Sequence, residues 1–114
     1  MIPPEPVVER PHVTVVMPVL DEERHLADSV ARVLSQDYDG PLDLVLALGP
    51  STDGTDEVAA RIVREHPEVR TVPNPSGRTP DGLNAAIAAS EGEIVARVDA
   101  HAEIPTDYVS TAVR

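Results

Sequence analysis

The chain has 114 residues and a net charge of −11, with no Phe, Trp or Cys. This length allows one domain with a modest core of Val, Leu, Ile and Ala, and the lack of Cys excludes disulfides and thiolate metal sites. Nucleic acid is not an expected partner, because so acidic a chain has no basic stripe to displace counterions from phosphates.

The N-terminus and the hydropathy of the chain bear on its location. Residues 1–12 are rich in proline and lack periodicity, so we expect a flexible tail followed by one domain over residues 13–114. These first residues contain no apolar signal core, and no apolar run approaches the ~20 residues that cross a bilayer. We therefore expect a cytoplasmic chain, although a longer parent protein would have room for a membrane attachment.

The remaining sequence alternates short aliphatic runs with amphipathic segments, in the order β-α-β-α-β-α-β-α. Strands are predicted over residues 13–17, where Pro18 is expected to end the strand, 42–48, 69–72 and 93–98. Helices are predicted over residues 22–36, 55–66, 79–92 and from 105 onward. This alternation predicts right-handed crossovers and a Rossmann-like parallel sheet of the α/β class.

Several local features follow from the same pattern. Asp21 is a plausible N-cap of the first helix, and Thr79 is one for the third helix. The third helix is expected to turn Leu83, Ala86 and Ile87 inward. The histidines at positions 12, 25 and 66 show no partnered spacing and are expected on the surface.

The end of the sequence suggests a fragment of a longer protein. The last helix has barely begun at Arg114, and no strand follows the fourth. If the fourth strand lies at a sheet edge, it is unprotected and offers a route to self-association.

Ligands of open α/β sheets bind beyond the carboxyl ends of the strands. That rule nominates the loops at residues 18–22, 49–54, 73–79 and 99–103. The G-x-G-x-x-G and G-x-x-x-x-G-K-[ST] patterns are both absent, which argues against a dinucleotide-binding Rossmann domain and a P-loop NTPase.

The fourth strand ends in the segment Arg97-Val98-Asp99-Ala100-His101. Asp99 and His101 project to the same side of an extended backbone, where a carboxylate and an imidazole can share a divalent ion. Such an ion would neutralise a diphosphate that this acidic chain would otherwise repel. The alternative is that Asp99 caps the turn and His101 is a surface residue.

Two arginines near the same edge allow two interpretations each. Arg78 either contacts a phosphate or a base, or it is solvated. Arg97 lies on the face of Asp99 and either orients that carboxylate or extends from an edge strand. We favour a structural role for Arg97.

Four segments together resemble the family 2 glycosyltransferases, which have the GT-A fold. Residues 13–22 are similar to the family's opening strand and its P-x-Y-N-E motif, and residues 51–55 match S-T-D-G-T. Residues 74–93 resemble the N-x-G…N-x-G-I…A-x-G-E segment, and residues 98–102 stand where the family has D-x-D.

The segment 97–101 is especially similar to a bacterial exopolysaccharide subgroup of the succinoglycan-synthesis type, in which His replaces the second Asp. The resemblance covers residues 13–110 and implies the N-terminal, donor-binding half of a GT-A enzyme.

The resemblance also implies a set of binding residues. The nucleoside pocket would be lined by Pro18, Val19, Leu20 and Glu22, with Arg78 near the nucleotide. Asp99 would contact the ion or the diphosphate, and Asp99 and His101 would hold Mn²⁺ or Mg²⁺. Leu48 and Gly49 stand at the family's acidic positions, where the uracil base is bound, and Gly49 is included among the expected substrate-binding residues. The choice among UDP, GDP and another carrier is therefore open.

The implied activity is inverting transfer of a sugar from a nucleotide-diphosphate donor to a glycan or lipid-linked acceptor. Family members place the catalytic base and the acceptor site after the D-x-D motif, which here means beyond Arg114, so we assign no catalytic residue to this chain. The alternative is a non-catalytic nucleotide-binding or interaction module. A nucleotidyltransferase would require a glycine-rich, basic loop after the first strand, which is missing.

Overall fold

The computed structural model of the chain describes residues 10–113. Its strands are β1 (Val13–Val19), β2 (Leu42–Leu48), β3 (Val69–Pro73) and β4 (Ile94–Arg97). Its helices are α1 (Leu26–Leu34), α2 (Thr55–Glu65), α3 (Thr79–Ala88) and α4 (Tyr108–Val113). Strands and helices alternate along the chain, as the sequence predicts.

The four strands form one parallel sheet in the order β3-β2-β1-β4. The chain moves outward from β1 through β2 to β3, then crosses back to place β4 on the other side of β1. Parallel sheets open a crevice where the direction of winding reverses, at the carboxyl ends of the two strands on either side of the reversal. Here that crevice lies between β1 and β4.

Helices cover the two faces of the sheet unequally. The larger core joins α1, α2 and α4 to one face, with Met17, Leu44 and Leu46 fully buried. The smaller core places α3 on the other face, where Ala86 packs with Val16, Val45 and Ala47. Burial on both faces explains why β1 and β2 read as continuous aliphatic runs.

Strand β1 continues two residues beyond its predicted end. Pro18 was expected to stop it, but Pro18 pairs with Ala47 and the strand ends at Val19. The pairing with β4 reaches only Val16. Because no ladder with β4 extends to Pro18, its missing N–H leaves no gap on that side of the sheet.

Helices α1 and α3 also differ from the prediction at specific residues. Helix α1 begins at Leu26, with His25 rather than Asp21 at its N-cap. Asp21 has a φ of 51° and directs its carboxylate to the loop after β2. Arg78, not Thr79, is the N-cap of α3. Ile87 is 49% exposed instead of turned inward, because α3 alone covers its side of the sheet.

A polar cluster ties the amino-terminal ends of the strands together. The Asp43 carboxylate accepts hydrogen bonds from His12 Nε2 at 2.8 Å, Thr14 Oγ1 at 2.7 Å and Arg70 NH1 at 2.7 Å. The His12 side chain in this cluster is 29% exposed, and the His12 carbonyl oxygen also accepts the Glu93 N–H at 2.8 Å. Residues 1–9 of the predicted tail lie outside the described part of the chain.

Strand β4 is at an edge of the sheet, which is the condition under which the sequence predicts an unprotected strand. Its Val95 side chain is 40% exposed on the face that α3 covers only in part. Between residues 10 and 113, no helix combines the length and the apolar character needed to cross a membrane.

Candidate functional site

An open cleft of about 220 Å³ lies in the crevice between β1 and β4. Three of the four nominated loops, those after β1, β3 and β4, contribute to its walls. The lining residues are Pro18, Val19, Leu20, Glu22, Asn74, Gly77, Thr79, Arg97, Asp99, Ala100 and His101. The cleft thus brings together the residues 18–22 and 97–101, which the sequence singles out separately.

The loop at residues 18–22, hereafter the elbow, meets the end of β4 across the cleft. Glu22 Oε1 lies 3.2 Å from His101 Nδ1, and the glutamate side chain is only 17% exposed, whereas that of the histidine is 68% exposed. Leu20 is 43% exposed and presents an apolar surface at the cleft. An acidic group, an imidazole and an apolar surface therefore share one open site.

Arg97 and Asp99 form an ion pair at the same site. Both Nε and NH2 of Arg97 lie 3.1 Å from Asp99 Oδ1, and each side chain is about half exposed. The guanidinium remains in solvent because β4 is an edge strand, so no buried partner is needed. Both interpretations of Arg97 thus apply, since it extends from the edge and contacts Asp99.

The backbone of the segment 97–101 is fixed from beneath by α1 and from the side by α4. The buried Ser29 hydroxyl donates to the carbonyl oxygen of Ala100, the residue between Asp99 and His101. The Tyr108 hydroxyl donates to the Arg97 carbonyl at 3.0 Å. Sequence reasoning missed Ser29, although a small polar residue on the inward face of an amphipathic helix is a signal for such a contact.

Two glycines allow the loops after β2 and β3 to close around Leu20. A Cβ atom on Gly49 would lie 3.1 Å from Leu20 Cδ1 and 3.3 Å from the Gly77 Cα. Gly77 has a φ of +70°, and a Cβ there would lie 3.1 Å from Pro50 Cδ. Gly49 therefore supports the side chain of Leu20 from behind and is not among the cleft-lining residues.

Arg78, which the resemblance places near the nucleotide, is not among the residues that line the cleft. Its guanidinium is 76% exposed, and its Nε donates to Asp81 Oδ2 at 3.2 Å. Hydrogen bonds from Ser76 and Arg78 hold the pKa of the Asp81 carboxyl below its usual value. The Arg78 carbonyl oxygen accepts a hydrogen bond from the side-chain amide of Asn74. Asn74 is a buried residue of the cleft, and the sequence identifies it only as part of a motif.

The chemistry of the cleft fits a divalent ion only if a ligand shares it. Within residues 10–113, no three carboxylate or imidazole groups are arranged to hold a metal ion by themselves. Mg²⁺ typically binds through one or two carboxylates while substrate phosphates and water complete its shell. Asp99 and His101, with Glu22 beside them, offer such a partial set. The site therefore suits an ion bridged to a diphosphate.

Comparison with known proteins defines the class. The profile of the family described as glycosyl transferase family 2 matches residues 14–114, so the chain belongs to this family. The succinoglycan biosynthesis protein ExoA of Rhizobium meliloti (strain 1021) is 32% identical over 101 residues, covering 87% of this chain and 31% of ExoA. The putative glycosyltransferase EpsE of Bacillus subtilis (strain 168) is 32% identical over 91 residues, covering 78% and 32%. The chain thus spans about a third of the length of these relatives.

A solved structure gives the same result. The mannosyltransferase PcManGT from Pyrobaculum calidifontis, in complex with GDP-Man and Mn²⁺, superimposes with a TM-score of 0.80 and 33% identity. The match covers 92% of this chain and 32% of that one. The resemblance to GT-A enzymes and the predicted Rossmann-like fold are confirmed, and so is the similarity to the exopolysaccharide subgroup.

Proposed function

We propose that this chain is the donor-binding part of an inverting glycosyltransferase that requires a divalent metal and uses a nucleoside-diphosphate sugar. The observation that carries the proposal is the meeting of Glu22, Asp99 and His101 in one cleft of a family 2 chain. Support comes from the net charge of −11, since a diphosphate would be repelled unless a cation neutralised it. The similar mannosyltransferase contains Mn²⁺ together with its nucleotide sugar.

The residues of the cleft have distinct proposed roles. Pro18, Val19 and Leu20 line the cleft and provide a largely apolar surface for the nucleoside. Asp99, oriented by Arg97, and His101, oriented by Glu22, hold Mn²⁺ or Mg²⁺ at the diphosphate. When bound, the ion stabilises the negative charge of the nucleoside-diphosphate leaving group.

The acceptor and the catalytic base complete the proposed reaction. We propose a glycan or lipid-linked acceptor, in keeping with the name of ExoA, a succinoglycan biosynthesis protein. An inverting reaction is a single displacement, in which a base removes the proton of the acceptor hydroxyl. We assign that base to no residue of this chain.

Titration calorimetry tests the donor-binding proposal. UDP, GDP and ADP are each titrated into the chain with Mn²⁺ and again with excess EDTA. We expect at least one diphosphate to bind about tenfold more tightly with Mn²⁺, since the ion removes the repulsion between ligand and cleft. The matching monophosphate should gain much less. Equal affinity for the diphosphate in EDTA would contradict the role of the metal.

A further inference from the structure

The loop at residues 51–55 does not line the cleft, although it follows the carboxyl end of β2. It lies behind the elbow and binds its backbone. Three consecutive N–H groups of the chain each donate to a side-chain oxygen of this loop: Asp21 to Ser51 Oγ at 2.9 Å, Glu22 to Thr55 Oγ1 at 2.9 Å, and Glu23 to Asp53 Oδ2 at 3.4 Å.

A contact in the opposite direction completes the attachment. Asp21 Oδ1 accepts the Thr52 N–H at 2.7 Å. Asp21 has a φ of 51°, the only positive φ of a non-glycine residue between residues 10 and 113. Backbone of this kind is strained and persists where surrounding contacts hold it. The loop supplies those contacts.

Asp53 fixes the direction of the hydrogen bond between the Glu22 N–H and Thr55 Oγ1. Its Oδ1 accepts the Thr55 N–H at 3.0 Å and also the Thr55 hydroxyl. The Thr55 proton is therefore committed to Asp53, which leaves a lone pair of the Thr55 oxygen for the Glu22 N–H. Hydrogen bonds from Thr55 keep the pKa of the Asp53 carboxyl below its usual value, which favours the ionised acceptor.

Both the backbone N–H and the backbone carbonyl oxygen of Glu22 are hydrogen-bonded. Its N–H is bound to Thr55, and its carbonyl oxygen accepts the N–H groups of His25 at 3.1 Å and Leu26 at 2.9 Å. The side chain that leaves this fixed backbone reaches His101 across the cleft. A change in the loop therefore reaches the proposed ion site through Glu22.

We propose that Asp53 and Thr55 are positioning residues, which set the place of Glu22 in the cleft without touching the ligand. This inference rests on the proposed function in so far as the cleft binds a nucleoside diphosphate. It assigns the S-T-D-G-T segment to the support of the elbow and to no ligand contact of its own.

Thr55→Val tests the inference, because it removes the hydroxyl and keeps the shape of a fully buried side chain. We expect amide hydrogen exchange at Glu22 to accelerate about tenfold or more, since its N–H loses its acceptor. The affinity for UDP or GDP with Mn²⁺ should fall about three- to tenfold. Thr55→Ser, which keeps the hydroxyl, should restore both values. Ser90→Ala is the control. It removes a hydroxyl that donates to the Ala86 carbonyl oxygen and that lies outside both the cleft and the loop at residues 51–55.

A double-mutant cycle with Glu22→Gln separates positioning from general stability. If Thr55 acts through Glu22, the affinity lost in Thr55→Val should shrink to less than about twofold in the Glu22→Gln background. Equal losses in both backgrounds would overturn the positioning role, and so would unchanged exchange at Glu22. If the wild-type chain binds no diphosphate, the proposed function fails, and the exchange at Glu22 alone decides whether the loop holds it.

Discussion

At the residue scale, Asp99 is the side chain on which the proposed metal dependence rests most. Its carboxylate pairs with Arg97 and is 47% exposed, so Asp99→Asn should change the free energy of unfolding by no more than ~1 kcal/mol. We expect this variant to lose the Mn²⁺-dependent gain in diphosphate affinity, as measured by calorimetry. Asp28→Asn, an exposed position on α1 outside the cleft, should keep that gain. An unfolded Asp99→Asn variant would show that Asp99 is a structural cap.

Asp43 gives a pH-dependent prediction far from the cleft. Burial alone would raise the pKa of its carboxyl, but hydrogen bonds from Thr14, His12 and Arg70, and the charge of Arg70, hold the pKa below its usual value. Because the folded pKa is depressed, the stabilising contribution is complete above about pH 4, the unfolded pKa, and is lost as the pH falls through the folded pKa.

Asp43→Asn should therefore lower the free energy of unfolding by about 1–3 kcal/mol at pH 7. The difference from the wild type should shrink as the pH falls below about 4, because the carboxyl of the unfolded wild-type chain takes up a proton there, whereas that of the folded chain does so only at lower pH. Urea unfolding at a series of pH values measures both effects. A difference that stays constant down to the lowest pH would contradict the assignment.

Single residues of the cleft were predictable where one strand or one loop carries them. Asp99 and His101 stand two apart at a strand end, and the rule for strand ends also nominates Leu20 and Glu22. The parts played by Asp21, Ser29 and Thr55 were not predictable, because their partners lie at least 30 residues away in sequence. Local pattern favours a helix cap for Asp21, and only the tertiary contact with Thr52 shows otherwise.

At the scale of single elements, β4 forms one of the two edges of the sheet. Its outer edge has no strand beside it in the described part of the chain, and its Val95 side chain is 40% exposed on the face that α3 covers only in part. Unpaired edge backbone promotes association, and lysine on an edge strand opposes it. We expect the chain to self-associate at high concentration and Val95→Lys to reduce this, as measured by sedimentation velocity.

Ala60→Lys is the matched control, since it adds the same charge to an exposed position on α2, away from the edge. Equal dissociation by both variants would show that net charge, and not the edge of β4, governs association.

The elements themselves followed well from the sequence wherever burial imposed a simple pattern. Strand β2 matches its prediction at both ends, because both of its faces are covered. Helix α1 starts four residues later than predicted, because the backbone of 21–23 is bound to the loop after β2 and is not free to coil. Helix propensity over residues 22–25 is overridden there by tertiary hydrogen bonds.

At the scale of the whole molecule, the sheet order decides where the cleft forms. A parallel sheet follows from the alternation of strands and helices, but the order β3-β2-β1-β4 depends on which strands pair at long range. That order brings the elbow after β1 next to the segment 97–101 and excludes residues 51–55 from the lining. The sequence nominates all of these loops equally, and the winding reversal between β1 and β4 selects among them.

Paramagnetic broadening of NMR signals by Mn²⁺ tests the central claim most directly. With UDP or GDP bound, substoichiometric Mn²⁺ should broaden the amide signals of Glu22, Ala100 and His101, and spare those of Asp43 and Ala89 at the opposite edge. Excess Mg²⁺ should reverse the effect, and omission of the nucleotide should weaken it, because the protein alone offers an incomplete set of ligands. Broadening that centres on another acidic surface, or that is the same without nucleotide, would contradict a shared metal and diphosphate site in this cleft.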